Sequence, residues 1–323
     1  VLGDVDMVGP VPVAELVGAH YLPPFDLVPV EGDAFRVVAD TFVTIDDGSG
    51  IVHLAPAFGE IDREIGVREG LAFVNPVNDA ARFDKVIGGP YAGKFVKDAD
   101  PALVDALAAS GRLVKVVDYT HSYPHCWRCD TPLIYWAKPT WFARTSAQKD
   151  ALLRENEKIN WFPETIKHGR FGDWLENNVD WALSRDRYWG TPLPVWRCSA
   201  CEKDTVVASL AELRERSGRD LTDFDMHRPY VDEVKITCEC GGSASRVEPV
   251  LDAWFDSGSM PSAQFHYPFE NEALFERRFP ADFISEAIDQ TRGWFYSLLA
   301  VNTLVFDQTP YRNVVCLAHI VDG

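Results

Sequence analysis

Four cysteines in two tight pairs, Cys198-x-x-Cys201 and Cys238-x-Cys240, constrain this chain more than any other feature. Two such pairs, with residues 202–237 between them, suit one tetrahedral zinc that closes a small ribbon. The alternative, four unligated thiols in a polar loop, is disfavoured because exposed free cysteines are a chemical liability. A third pair, Cys126 and Cys129, brings only two thiolates and reads as an incomplete second metal site. Cys316 stands alone in an apolar run and is expected to be a buried core thiol.

At 323 residues, 46% hydrophobic and 25% charged with ten Trp, the chain has the profile of a packed globular protein of about two domains. Lys and Arg number 31 against 49 Asp and Glu, a net charge of -18 that repels a polyanion unless basic residues are gathered locally. No run of apolar residues is long enough to cross a membrane, and Val1-Leu2-Gly3-Asp4 has neither an initiator Met nor a signal-peptide layout. The expectation is a soluble, cytoplasmic protein whose sequence begins inside a longer one. In that compartment paired cysteines point to metal ligation over disulfides.

Four segments follow from the patterning: 1–115, 116–195, the polar and charged stretch 196–248 that carries the zinc-ribbon cysteines, and 249–323. In the first, Phe35 to Ile51 alternates β-branched runs with the turn Asp46-Asp47-Gly48-Ser49-Gly50, predicting strands joined by a tight loop. Asp100-Pro101 predicts a helix start and Gly111 its end. In the last segment Val250–Phe255, Phe283–Glu286 and Asn313–Ile320 read as strands, with an apolar helix over Thr291–Val305. Strand, helix, strand in that order implies a parallel sheet. Pro310 and the Pro261–Pro268 stretch read as surface loops.

Four strings carry chemistry. GSGIVHLAPAFGEID at 48–62 sets a glycine-flanked turn before His53 and Asp62; alone it reads as a hairpin followed by a helix-capping Asp. GRFGDWLENNVDWALSRDRYWGTPLPVW at 169–196 interleaves arginines with aromatics. DAWFDSGS at 252–259 and EAIDQTRGWF at 286–295 place acidic residues beside Trp, and Glu286 and Asp289 alone read as an acidic helix N-terminus.

Together these strings resemble the isoleucyl-tRNA synthetase family of class I synthetases. The match to Trp-x-x-Ser-Arg-x-Arg-x-Trp-Gly-x-Pro-x-Pro falls on Trp181, Ser184, Arg185, Arg187, Trp189, Gly190, Pro192 and Pro194. HSYPHCWRCDTPLIYWAKPTWF at 121–142 and GSMPSAQFHYPFE at 258–270 are similar to the longer, eukaryote-like branch.

The resemblance implies an α/β fold: the second half of a Rossmann-like parallel-sheet core over 249–323, part of a β-rich editing domain over 1–115, a return segment into the core over 116–195, and the ribbon insertion. It implies an internal fragment, with one nucleotide signature upstream of Val1 and a lysine-rich signature loop downstream of Gly323. It implies that the complete enzyme, a monomer, joins isoleucine to tRNA(Ile) with ATP and Mg2+, and that Glu286, Asp289 and Gln290 lie against the ribose of the aminoacyl-adenylate. Ala287 departs from the family's usual Gly. The first string implies an editing site, with Asp62 anchoring the α-amino group of a mischarged residue and His53 beside the ester; Ser49 stands for the usual Thr. Lys167, Arg170, Arg185 and Arg187 are candidate tRNA contacts, with structural stacking of the arginines on Trp the equal alternative. Long-form relatives complete the Cys126/Cys129 site from an upstream segment.

Two other readings fit the sequence less well. A valyl-tRNA synthetase fragment is disfavoured by Asp289-Gln290-Thr291-Arg292-Gly293-Trp294. A non-catalytic zinc-ribbon RNA-binding module needs a basic face, and residues 196–248 carry at least as many acids as bases.

Overall fold

A computed structural model describes residues 9, 11–44 and 50–318. The chain forms two compact units, one running to Pro139 and the other from Thr140. The break read from the sequence near residue 115 falls inside the first.

In the first unit, α1 (Glu60–Glu69) starts after Gly59 and stops at Gly70, whose left-handed φ of 68° returns its amide to the Gly66 carbonyl. Helix α2 (Asp100–Ala109) has Pro101 in its first turn and Gly111 just past its end at φ 69°. The expected proline and glycine punctuation is therefore present, with Ala99 rather than Asp100 at the N-cap. Ile87, Tyr91 and Ala99 form a small core with Leu27, Val28 and Leu103. The strands expected over Phe35–Ile51 do not form among the described residues. Only one bridge, His20 to Arg36, is made there, and Phe35 at φ 54° breaks the extended run. The turn residues Asp46 to Ser49 lie outside the described residues.

The second unit runs through α3 (Lys149–Glu157), β1 (Asn160–Phe162), α4 (Arg170–Glu176) and the short β2 (Ser184–Arg185). A ribbon follows: β3 (Val195–Cys198), β4 (Asp204–Val206), α5 (Leu210–Ser217), β5 (Ile236–Thr237) and β6 (Ser243–Arg246). Then come β7 (Val250–Leu251), α6 (Ala253–Ala263), β8 (Ile284–Ala287), α7 (Trp294–Phe306) and β9 (Asn313–Leu317).

Strands β8, β9 and β1 form a parallel sheet in that order, with Ile284 opposite Val314 and Val314 opposite Trp161. The α7 helix connects β8 to β9, as the apolar run predicts, and everything from Phe295 to Thr303 is buried. A helix apolar on all sides belongs in the middle of a core. Leu152, Ile159, Trp161, Phe171, Leu175, Leu298, Leu299 and Tyr311 close around it, and Cys316 joins them as expected. Each such side chain contributes about 1.5–3 kcal/mol through burial.

Two expectations need correction here. Only Val250–Leu251 of the segment 250–255 is strand, because Asp252 turns its carboxylate onto the Trp254 amide and starts α6. Pro261 lies buried inside α6 and not in a surface loop, and Pro310 is buried too. A proline in a helix leaves the carbonyl four residues earlier without its amide donor. That carbonyl, Ser257, accepts from the Trp294 indole Nε1 at 3.2 Å. The missing donor is replaced from α7.

Candidate functional site

Glu286, Asp289 and Gln290 sit where an open parallel sheet binds ligands, at the carboxyl ends of its strands. Glu286 is the third residue of β8, and a 3-10 turn over Ile288–Arg292 carries Asp289 and Gln290 toward the start of α7. Both carboxylates reach solvent. Gln290 is engaged within the protein: its Oε1 accepts from the Trp294 amide at 2.8 Å and its Nε2 donates to Asp289 at 3.1 Å. At Gly293 a Cβ would stand 2.7 Å from Gln290 Oε1 and 3.0 Å from the Trp254 ring, so a larger residue would push on the side chain that holds the Trp294 amide. Ala287 has φ -75° and ψ 164°, extended backbone open to any residue, so the chain path does not require glycine there. Below this corner Thr291 is fully buried, donating to the Ile288 carbonyl and accepting from Arg170 Nε at 2.9 Å. Arg170 is thereby committed to the fold.

Arg185 and Arg187 differ sharply. Arg185 is half-buried, ion-paired to Asp252 at 2.7 Å, and donates to the carbonyls of Ala182 and Ser184. Arg187 is exposed. Asp252 also accepts from the Trp181 indole at 3.0 Å. In the sequence it falls inside the expected strand Val250–Phe255 and opens the string DAWFDSGS, and neither feature names Trp181 or Arg185 as its partner. The stacking partner of Trp189 is His227, with rings 4.3 Å apart and 13° from parallel.

In the first unit Asp62 lies in the opening turn of α1 and its Oδ2 accepts from the Ala55 amide at 2.9 Å. A Cβ at Gly59 would come within 2.8 Å of that carboxylate, so the loop folds directly over it. His53 is exposed. Gly48 and Ser49 lie outside the described residues.

The ribbon brings Cys198, Cys201, Cys238 and Cys240 together with all four sulfurs within 4.8 Å of one another. Cys198 and Cys240 approach to 3.5 Å, and Cys201 and Cys238 to 3.8 Å. A tetrahedron of sulfurs about 2.3 Å from a zinc has edges of about 3.8 Å, so the donor set fits. Gly242 completes the cradle: a Cβ there would be 2.9 Å from the Cys198 sulfur. Amides of Ala200 and Cys201 hold the Cys198 thiol down at about 6. The Lys203 amide pulls Cys201 the same way, but the Cys240 and Cys198 sulfurs together with burial push it up to about 12.

Cys126 and Cys129 form the same kind of knuckle. The Cys126 amide donates to Thr131 and its carbonyl accepts from Asp130, as Cys198 does with Lys203 and Glu202. Asp130 and Glu202 share φ 58°. The Thr131 hydroxyl, then its amide and the Cys126 thiol, lower the Cys129 pKa. Among the described residues no further cysteine, histidine or carboxylate joins this pair.

Against this geometry, the family described as tRNA synthetases class I (I, L, M and V) matches residues 26–323. The chain belongs to the class I tRNA synthetases. Among class I relatives, isoleucine--tRNA ligase of Streptomyces coelicolor is 55% identical over 95% of this chain, which covers 30% of that protein. The enzyme of the same name from Bacillus thuringiensis is 51% identical over the same shares. That of Clostridium acetobutylicum is 48% identical over 99% of this chain and 31% of its own length. The chain thus spans about 30% of the class I synthetases it matches. Among the described residues no helix is long and apolar enough to cross a membrane.

Proposed function

We propose that the chain is part of an isoleucine--tRNA ligase, which activates isoleucine with ATP and transfers it to tRNA(Ile) in the cytoplasm. The observation that carries this reading is the pair of solvent-facing carboxylates, Glu286 and Asp289, at the carboxyl end of a parallel strand, in a chain 55% identical to isoleucine--tRNA ligase over 95% of its length. Carboxylates there accept from ribose hydroxyls. Gln290, locked onto Trp294 and Asp289, fixes the direction of the Asp289 side chain. ATP with Mg2+ enters as substrate of the complete enzyme. Charging of tRNA(Ile) and tRNA(Val) by that enzyme tests the reading: isoleucylation of tRNA(Ile) is expected, and valylation of tRNA(Val) would overturn it.

Editing belongs to the same proposal. One missing methylene is worth only about 1–3 kcal/mol in a pocket, an argument long made for isoleucyl enzymes themselves, so valine must be removed hydrolytically. Asp62 is the anchor for the α-ammonium of the mischarged residue, with His53 beside the ester. Zinc held by Cys198, Cys201, Cys238 and Cys240 closes the ribbon and takes no part in the chemistry. The exposed Arg187 is the better of the two arginines for a tRNA phosphate, since the charge of Arg185 is already met by Asp252.

A further inference from the structure

We propose that Asp252 is a positioning residue for amino-acid activation. It holds the signature segment and the start of α6 so that Trp254 stands against the Gln290–Gly293 corner. The inference rests on the reading of that corner as the adenylate site.

The side chain of Asp252 is nearly buried, yet every side-chain contact it makes is with a donor. Its Oδ1 accepts from the Trp254 amide at 3.3 Å; its Oδ2 accepts from Trp181 Nε1 at 3.0 Å and Arg185 Nη2 at 2.7 Å. Its own amide donates to the Leu183 carbonyl at 2.8 Å, continuing the antiparallel pairing of β2 with β7. Only a carboxylate can meet this set, because it accepts at both oxygens and carries no hydrogen. An amide in its place would turn an NH2 toward one of the donors.

What is held in this way reaches the nucleotide edge. The cap fixes the first turn of α6, which carries Trp254, 42% exposed, with its ring edge against Gly293. Farther along, α6 is clamped to α7 at Gly258, where a Cβ would stand 2.5 Å from the Ser297 carbonyl oxygen, and again by Trp294 on the Ser257 carbonyl. With its later turns pinned, the helix has its beginning set by Asp252. Loss of that cap therefore moves Trp254, and errors on the order of 1 Å near reacting groups cost rate steeply.

The test is isoleucine-dependent ATP–pyrophosphate exchange by the complete enzyme, expressed per titrated active site and read beside the melting temperature. Asp252→Asn is expected to lower kcat/KM on the order of tenfold per active site, a loss that a merely structural role would not produce once sites are counted. Trp181→Phe, which removes a single donor, should lower it in the same direction by less. Wild-type kcat/KM per active site in Asp252→Asn overturns the inference. If Asp252→Asn does not fold, wild-type values in both Trp181→Phe and Arg185→Met overturn it instead. Glu286→Ala separates the two proposals. If it exchanges at the wild-type rate, the adenylate reading itself fails; if it is impaired while the Asp252 series is not, only the positioning role fails.

Discussion

Arg185 and Asp252 form an ion pair at 2.7 Å, across a signature segment in which arginines were equally readable as nucleic-acid contacts. The guanidinium also serves two carbonyls, so removing it leaves partly buried acceptors unmet. Arg185→Ala is expected to destabilise the protein by about 1–2 kcal/mol, the partly exposed pair being discounted for solvent screening, while Arg187→Ala changes stability little. Filter binding of tRNA at low salt should show the reverse order once the folded fraction is accounted for. Equal melting temperatures for the two variants would contradict the assignment.

The ribbon is expected to hold about one zinc per chain. Cys240→Ser should abolish stoichiometric metal and lower thermal stability, because Trp196, Leu213, Val234 and Ile236 pack in the same small core as Cys198 and Cys238. Cys126→Ser should leave the metal content unchanged, since that knuckle brings two ligands alone among the described residues. Metal analysis after desalting decides both, and a second equivalent lost in Cys126→Ser would show that the knuckle is completed.

Gly258 lets α6 and α7 approach backbone to backbone. Its Cβ would stand 2.5 Å from the Ser297 carbonyl oxygen, and backbone cannot swing aside as a flexible side chain can. Gly258→Ala should cost about 1–3 kcal/mol through forced separation of the helices. Gly218→Ala makes a comparison, with no atom within 4 Å of its Cβ but a left-handed φ of 66°. Its cost should come from backbone strain alone, about 1 kcal/mol. Chemical denaturation of both variants measures the difference.

Local pattern sufficed wherever the determinant was local. The cysteine spacing anticipated the cluster, and the apolar run near Thr291–Val305 anticipated α7, starting a turn later because Gln290 caps at Trp294. What escaped depended on distant partners. Pro261 reads as a loop until Trp294 supplies a donor for Ser257, and Asp252 reads as part of a strand until its carboxylate takes up Trp254, Trp181 and Arg185. The β-branched residues near Phe35 had strand propensity but found one bridge to pair with, and propensity without a partner does not make a sheet.

Asp62 offers the sharpest separation of structure from chemistry. Its Oδ2 holds the Ala55 amide, so Asp62→Ala removes a loop contact and a charge together. Asp62→Asn keeps an acceptor oxygen for that amide and removes only the charge. If the carboxylate anchors an α-ammonium, both variants of the complete enzyme should charge isoleucine normally, accumulate valyl-tRNA(Ile), and deacylate it at least tenfold more slowly, the order expected when a charged hydrogen-bonding partner is lost. If the residue serves the loop alone, Asp62→Asn should deacylate like the wild type while Asp62→Ala does not. Deacylation of preformed valyl-tRNA(Ile) distinguishes the two, and wild-type rates for Asp62→Asn would remove the residue from the editing chemistry.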